Sequence, residues 1–249
     1  MKALAVTSHS DRPEAETFIG LAARGVELRV LCSPNAPHYA RLERAGVDVA
    51  PFEIRGRFDS AAAASIRREL ETGRSELLHL FNNKAVLNGL RAARGLPVKV
   101  VAYRGIVGNE SFYNPISRRR YLSPRVDRIV CVAEAVRRSL LDLRFFGRRL
   151  PPEKVVTIYK GHDLSWYDAS PIPRAELGLP ADAFLIGCVA NWRPRKGIEV
   201  LVDSCAALAG RGDRGDVYLL LVGHMDAPAL QKHIARSPTR ERIRVLGYR

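Results

Sequence analysis

The sequence predicts an α/β fold with two parallel sheets covered by helices, and three observations support this prediction. Short apolar segments, each long enough for one strand, alternate with amphipathic helical segments along almost the whole chain. Glycine ends several helical segments just before an apolar one begins, as at Gly25 and Gly46. The alternation stops over residues 160–182 and then starts again. Strands that alternate with helices of this length form parallel sheets with right-handed crossovers.

The first sheet is predicted within residues 1–165. Its first helix has a clear start signal in residues 11–14 (DRPE), which combine an N-cap aspartate, a proline in the first turn and an acid at the third helical position. The predicted strands are residues 2–7, 26–32, 47–52, 77–81, 98–103, 128–132 and 155–159. The predicted helices are residues 17–24, 38–45, 60–72, 85–94 and 133–143. Together these elements predict a complete doubly wound domain.

The second sheet follows a predicted interdomain linker over residues 166–182, where prolines and glycines replace the strand pattern. The predicted strands are residues 184–190, 217–222 and 243–246, and the predicted helices are residues 197–209 and 227–235. A sheet of three strands leaves an edge open and part of an apolar face uncovered. Residues 183–249 are therefore predicted to be an incomplete C-terminal domain.

The net charge of +14 favours a polyanionic partner. Most of this charge is on arginines dispersed in short groups, and no basic motif with interleaved aromatic residues indicates nucleic-acid binding. No apolar run approaches the roughly 20 residues of a membrane-spanning helix, and the N-terminus turns polar too early for a signal peptide. We therefore expect a cytoplasmic protein, with peripheral contact to an anionic membrane surface as an option.

The four cysteines indicate reduced, mostly buried thiols. Three lie inside apolar runs and one lies on a helical face, and their spacing forms no CxxC pair. Neither a disulfide nor a metal site is predicted from Cys32, Cys131, Cys188 and Cys205.

The most informative segment is residues 190–204 (ANWRPRKGIEVLVDS), which joins a predicted strand to a predicted helix. Ligands of open α/β sheets bind at the carboxyl ends of the strands. At this end Arg193, Arg195 and Lys196 precede a helix that begins near Gly197. Cations beside the free N–H groups of a helix N-terminus suit a diphosphate. A basic surface turn is the alternative interpretation. Dinucleotide-binding and P-loop glycine motifs are absent from the sequence.

Five segments, in order along the chain, resemble glycosyltransferase family 4. The donor-phosphate loop of that family resembles the pattern VxNxRPxKGIEVL at residues 189–201. The other four segments are VDRIVCVAEAVRRSL (126–140), EKVVTIYKGHD (153–163), VYLLLVGHMD (217–226) and IRVLGYR (243–249). The resemblance implies a GT-B fold, with a complete N-terminal Rossmann-like domain and an incomplete C-terminal Rossmann-like domain.

The resemblance also implies a function, namely transfer of a sugar from a UDP-, GDP- or ADP-sugar to a saccharide or glycolipid acceptor. Family members generally retain the anomeric configuration and use neither a metal ion nor a cofactor. In this sequence Lys196 matches the diphosphate lysine. The usual partner arginine would lie five residues earlier, where this chain has Asn191, and Arg193 is the candidate substitute. The remaining candidates are Gly197 for the diphosphate and Gly223, His224, Val245 and Gly247 for the nucleotide.

A second set of candidates lies after two strands of the N-terminal domain. Family members often carry a histidine where this chain has Arg104 and Gly105. An arginine cannot act as a base at neutral pH, but it can bind a phosphate or an acidic sugar. Asn82, Asn83 and Lys84 follow another predicted strand and are further candidates for the acceptor side. None of these residues is assigned as catalytic.

Alternatives to a complete transferase are left open. The acidic motif that grips the sugar in this family would lie beyond Arg249. The chain is therefore also interpreted as a non-catalytic or truncated nucleotide-sugar-binding module that needs further residues or a partner chain. A GT-B epimerase or phosphorylase is a further alternative, because one fold supports many functions.

Overall fold

Strands and helices alternate along the chain in a computed structural model that describes residues 1–108, 110–144, 146–210 and 216–248. The strands are β1 Lys2–Val6, β2 Glu27–Cys32, β3 Asp48–Pro51, β4 Leu77–Leu80, β5 Lys99–Arg104, β6 Arg128–Cys131, β7 Val155–Thr157, β8 Phe184–Val189, β9 Val217–Val222 and β10 Ile243–Gly247. The α-helices are α1 Arg12–Ala23, α2 Tyr39–Arg44, α3 Ser60–Gly73, α4 Asn83–Ala92, α5 Pro115–Arg118, α6 Glu134–Leu141, α7 Ile198–Ala209 and α8 Pro228–Arg236.

The chain divides into two units, Met1–Leu164 and Ser165–Arg249. Residues 166–182, predicted to be a linker, fall in the second unit and contain the short 3₁₀ helices Leu164–Tyr167, in part, and Arg174–Leu177. No helix in the described ranges has the length and apolar character needed to cross a membrane.

The first unit contains a seven-stranded parallel sheet in the order β3-β2-β1-β4-β5-β6-β7. Successive side chains of a strand point to opposite faces of the sheet. In β1, Leu4 and Val6 enter one apolar core, whereas Ala3 and Ala5 enter the core on the other face. The direction of strand order reverses between β1 and β4, so their carboxyl ends flank the crevice where such sheets bind ligands.

Local signals explain where the helices of this unit begin. Asp11 caps α1 by accepting a hydrogen bond from the Glu14 N–H at 3.0 Å. The helix therefore begins at Arg12 and not at residue 17, because the DRPE segment forms its first turn. The short helix α5 was not predicted. Asn114 caps it, and a proline occupies its first turn.

The second unit contains a three-stranded parallel sheet in the order β10-β9-β8. Its core is formed by apolar residues of α7 and β9, including Val202 and Leu221, which are fully buried. The α/β fold with parallel sheets is thus confirmed. The cysteines Cys32, Cys131 and Cys205 are free and buried, and Cys188 is free and half-buried.

Candidate functional site

The carboxyl ends of the three strands in the second unit are joined by backbone and side-chain hydrogen bonds. The Gly223 N–H, after β9, donates to the Gly247 carbonyl of β10 at 2.7 Å. The His224 N–H donates to the Asn191 side-chain oxygen at 3.0 Å, and the Trp192 N–H donates to the His224 carbonyl at 2.8 Å. The structure therefore brings four predicted nucleotide-side and phosphate-side residues together at one edge of the sheet.

Gly223 occupies a position that only glycine fits. Its φ of +122° lies in the region that L-residues rarely adopt. A Cβ atom at this position would lie 2.2 Å from the Ala190 carbonyl oxygen and 3.1 Å from the Asn191 side-chain oxygen. The turn after β9 thus packs directly against the loop after β8. The two segments can approach this closely because Gly223 has no side chain.

The loop between β8 and α7 presents cations beside a helix N-terminus. Arg193, Arg195 and Lys196 are exposed, and the last two lie in a 3₁₀ turn that ends at Gly197. Gly197 has a φ of +63° and is the N-cap of α7, with no side-chain capping hydrogen bond. Because α7 has no side-chain cap, its N-terminus and the adjacent cations form an arrangement suited to an anion.

An acid in the first turn of α7 holds this loop in shape. The Trp192 indole N–H donates to the Glu199 carboxylate at 2.8 Å. This hydrogen bond is the main cause that lowers the pKa of Glu199 below its usual value. The carboxylate of Glu199 thus fixes the aromatic residue that precedes Arg193.

The outer side of the same strand ends carries a pair of stacked rings. His224 and Tyr248 have ring centroids 5.1 Å apart and an interplanar angle of 19°. Tyr248 is 69% exposed, and Val245, one of the predicted nucleotide-side residues, is also exposed. Sequence reasoning did not single out Tyr248, although its place directly after Gly247 at a strand end was the available signal. The pair offers a flat surface on which a planar group can stack.

In the first unit, Asn82 connects the ends of β1 and β4. Its side-chain nitrogen donates to the Ser8 hydroxyl at 3.0 Å, and its side-chain oxygen accepts from the N–H groups of Lys84 and Ala85 at 3.1 and 2.9 Å. Asn82 is thus both the N-cap of α4 and a tie between the two loops at the crevice. Asn83 is exposed beside it.

Lys84 is exposed, but its ammonium group forms hydrogen bonds within the protein. Its Nζ donates to the carbonyls of Ile54 and Arg55 at 3.4 and 3.3 Å. The lysine therefore holds the segment that precedes α3 against the start of α4.

Arg104 differs from the sequence-based expectation of an open anion clamp. Its side chain is 2% exposed and forms an ion pair with Glu110 at 3.1 Å. Arg120 binds the same Glu110 oxygen at 2.7 Å, and the Arg104 guanidinium lies 4.9 Å from the centroid of the Tyr121 ring. Arg104 also donates to the Gly108 carbonyl. We correct the expectation accordingly. Arg104 orders the loop after β5 from within the core, and of these two candidates Gly105 is the exposed one.

An apolar trough of about 360 Å³ lies on one face of the first sheet. Two charged residues, Glu14 and Lys160, line it together with Tyr103 and His79. The Lys160 ammonium pairs with Asp11 and lies 5.9 Å from the centroid of the Tyr103 ring. The trough therefore combines a long apolar floor with a small group of ionisable side chains near the end of β1.

Burial changes the pKa of two groups in the trough. The pKa of Glu14 rises from 4.5 to about 7, mainly because of burial and secondly because of the nearby Asp11 carboxylate. Burial lowers the pKa of His79 to about 4, so this histidine is neutral. A carboxyl group with a pKa near 7 can exchange a proton at neutral pH. Sequence reasoning had interpreted Glu14 only as a helix-start signal, and the environment that shifts its pKa comes from distant parts of the chain.

Comparison with known proteins relates this geometry to a family. Residues 16–166 match the model of Glycosyltransferase Family 4. The chain belongs to glycosyltransferase family 4. A part of the chain is also 39% identical over 85 residues to a D-inositol 3-phosphate glycosyltransferase of Kineococcus radiotolerans. That similarity covers 33% of this chain and only 19% of the relative.

Solved structures share the fold over the whole chain. HepE of Anabaena, in complex with UDP and glucose, has a TM-score of 0.71 and 19% identity, and the alignment covers 100% of this chain and 70% of that protein. A glycosyltransferase of Rickettsia africae has a TM-score of 0.74 and 17% identity, with coverage of 100% and 68%. The family 4 chain therefore has the GT-B fold, and it spans about 70% of the length of these neighbours.

The fold extends to proteins with a different chemistry. A protein of Listeria monocytogenes described as a UDP-N-acetylglucosamine 2-epimerase has a TM-score of 0.61 and 15% identity, with coverage of 100% and 69%. Fold alone therefore does not separate a transferase from an epimerase. The match to the model of Glycosyltransferase Family 4 is the observation that favours a transferase.

Proposed function

We propose that this chain contributes the donor-binding loop of a glycosyltransferase that moves a sugar from a nucleoside-diphosphate sugar to a saccharide or glycolipid acceptor. The observation that carries the proposal is the uncapped N-terminus of α7 beside Arg193, Arg195 and Lys196. A diphosphate leaving group develops negative charge as the bond to the sugar breaks. Cations fixed at that point stabilise the developing charge, and they do so without a metal ion.

Each part of the loop has a separate role in the proposed complex. Lys196 and Arg193 bind the diphosphate, and the N–H groups that follow Gly197 supply further donors. Asn191 holds the turn after β9 in place through its bond to the His224 N–H. The stacked pair of His224 and Tyr248 lies beside this turn and is the proposed contact for the nucleotide base. Retention of anomeric configuration is part of the proposal and rests on family membership.

The acceptor is proposed to bind at the carboxyl ends of β1 and β4 in the first unit. Exposed polar groups at these ends include Asn83, and Gly105 lies at the end of the neighbouring strand β5. Arg104 is excluded from direct contact because its guanidinium is buried. A hydroxyl-rich acceptor suits such neutral polar groups better than it suits a cluster of charges.

The alternative is a nucleotide-sugar-binding module that binds the donor without transferring the sugar. This alternative rests on the same donor loop as the transferase. Both functions require donor binding, but only the first requires turnover. Binding and turnover are therefore measured separately.

Thermal unfolding with UDP, GDP or ADP tests donor binding. A nucleotide at about 100 times its dissociation constant should stabilise the chain by about 2.7 kcal/mol. Lys196→Ala should weaken binding about tenfold to a hundredfold, because hydrogen bonds to charged groups contribute about 1.5–3 kcal/mol. Lys232→Ala is the matched control, since it removes an exposed lysine from α8 in the same unit. A chain that responds to none of the three nucleotides would refute the proposal.

Product analysis separates the remaining functions. Incubation with a UDP-sugar and a mixture of saccharide acceptors should yield a glycoside with the donor's anomeric configuration, as seen by NMR. Binding without product favours the module. Isomerisation of the sugar in the absence of any acceptor would identify an epimerase and overturn the transferase proposal.

A further inference from the structure

A recess of about 540 Å³ lies on the helical side of the first unit, and arginines dominate its lining. It is bounded by α4, by the segment that includes α5 and by the segment before α3. The described lining contains no aspartate or glutamate. Its arginines are Arg91, Arg94, Arg118, Arg119 and Arg125.

Four of these arginines form no described side-chain contact that would stabilise the fold. Arg91, Arg94, Arg118 and Arg119 are exposed, and none of their side chains has a hydrogen-bond or ion-pair partner within the described residues. Like charges placed around one recess repel each other. Their grouping therefore costs stability unless an anion neutralises them.

The fifth arginine, Arg125, differs from the other four because its side chain contacts the surrounding protein. Arg125 binds Asp127 at 3.2 Å and donates to the carbonyls of Leu96 and Val98. The end of α4 is also already satisfied, because Arg67 donates to the carbonyls of Ala92 and Arg94. The four unpaired guanidinium groups are thus not needed to hold the recess together.

The rest of the lining adds an apolar surface to the cations. Phe58 is 59% exposed at the edge of the recess, and Leu87 and Leu90 form part of its floor. Asn88 lies between them and is fully buried, with its side chain bonded to the backbone at Asp59 and Lys84. The recess therefore has a fixed shape, a cationic rim and a partly apolar base.

We propose that this recess is a second anion site, which binds a phosphate group carried by a ligand with an apolar or neutral body. The planar guanidinium fork matches the oxygens of a phosphate in pairs, and several forks around one concavity favour a phosphate over a chloride ion. The site shares no residue with the donor loop, because all of its lining residues belong to the first unit and the donor loop belongs to the second. A phospholipid headgroup and a soluble phosphate ester present the same chemistry.

Two double variants test the site against bulk charge. Arg91→Gln/Arg94→Gln and Arg118→Gln/Arg119→Gln each remove two charges from the recess. Arg148→Gln/Arg149→Gln removes two exposed charges from a segment outside it and is the matched control. We expect all three variants to fold, because none of the replaced side chains has a described partner. Thermal unfolding checks this.

Binding is measured in two arms that separate the two sources of phosphate. The first uses vesicles of phosphatidylcholine with and without phosphatidylglycerol, and the second uses soluble glycerol phosphate. In the vesicle arm each recess variant should bind roughly thirty-fold more weakly, since each arginine near an anionic surface contributes about 1 kcal/mol. The control should change less than about threefold. In the soluble arm the expected loss is at least about tenfold.

Each outcome either supports the proposed site or overturns it. Loss of binding by the recess variants in either arm supports the site, and the arm that responds identifies the source. Equal losses in the control variant would overturn the proposal, because diffuse charge would then explain the binding. An absence of binding in both arms would overturn it as well. Lys196→Ala should leave this binding unchanged, so failure here is distinguishable from failure of the donor proposal.

Discussion

Replacing Glu14 with glutamine should change how the stability of the protein depends on pH. The residue is 9% exposed at the edge of the apolar trough, and the Thr7 hydroxyl donates to its carboxylate at 3.4 Å. Its pKa rises from 4.5 to about 7, mainly through burial and secondly through the Asp11 carboxylate. Lys160 and Thr7 oppose this rise but do not cancel it.

The sign and the magnitude follow from the two pKa values. The folded protein keeps the Glu14 proton up to pH of about 7, whereas the unfolded chain loses it near pH 4.5. Unfolding therefore releases a proton in this window, and the free energy of unfolding falls as the pH rises through it. At 1.36 kcal/mol per unit of pKa, the fall attributable to Glu14 is about 3 kcal/mol.

Glutamine has almost the same shape as glutamate but does not titrate. The variant should therefore lack this fall in the free energy of unfolding. The Gln variant should gain about 3 kcal/mol relative to the parent protein between pH of about 4 and about 8. Urea unfolding at closely spaced pH values measures the difference. Thr17→Val is the control, because Thr17 lines the same trough but carries no ionisable group. A difference that stays constant over this pH range would refute the assigned pKa.

Two further substitutions test the packing of the candidate sites. Gly223→Ala should cost about 3 kcal/mol or more in urea unfolding, because its Cβ would meet the Ala190 oxygen at 2.2 Å. Gly187→Ala in β8 meets nothing within 4 Å and should change stability by less than about 1 kcal/mol. Glu110→Gln should cost about 3 kcal/mol, because it leaves Arg104 buried without its counter-charge. Stability equal to the parent in either case would contradict the corresponding contact.

The sequence was sufficient to predict the order of the ten strands and of the α-helices other than α5, because each signal is local. Apolar runs, caps and helix-ending glycines act within a few residues of one another. The same local rule located the loop of Arg193 and Lys196 at the end of a strand. It also explains the error at α1, where the cap at Asp11 was recognised but the helix was started later than Arg12.

Contacts between distant residues could not be predicted in the same way. Arg104 was a candidate for the acceptor side because it follows a predicted strand, but its environment is set by Glu110 and Arg120 in a later segment. The pairing of Asp11 with Lys160 joins residues 149 positions apart. The pKa of Glu14 depends on this pairing and on burial by several strands, so no local pattern contains it.

The donor loop combines both kinds of information at position 191. The family resemblance places an arginine there, but this chain has Asn191, whose side-chain oxygen accepts the His224 N–H at 3.0 Å. An arginine has only donor groups and could not accept that hydrogen bond. The asparagine therefore replaces a cation with an acceptor that joins two loops, and the positive charge of the loop is carried by Arg193, Arg195 and Lys196. Charge and loop geometry are therefore supplied by different neighbouring residues of this loop.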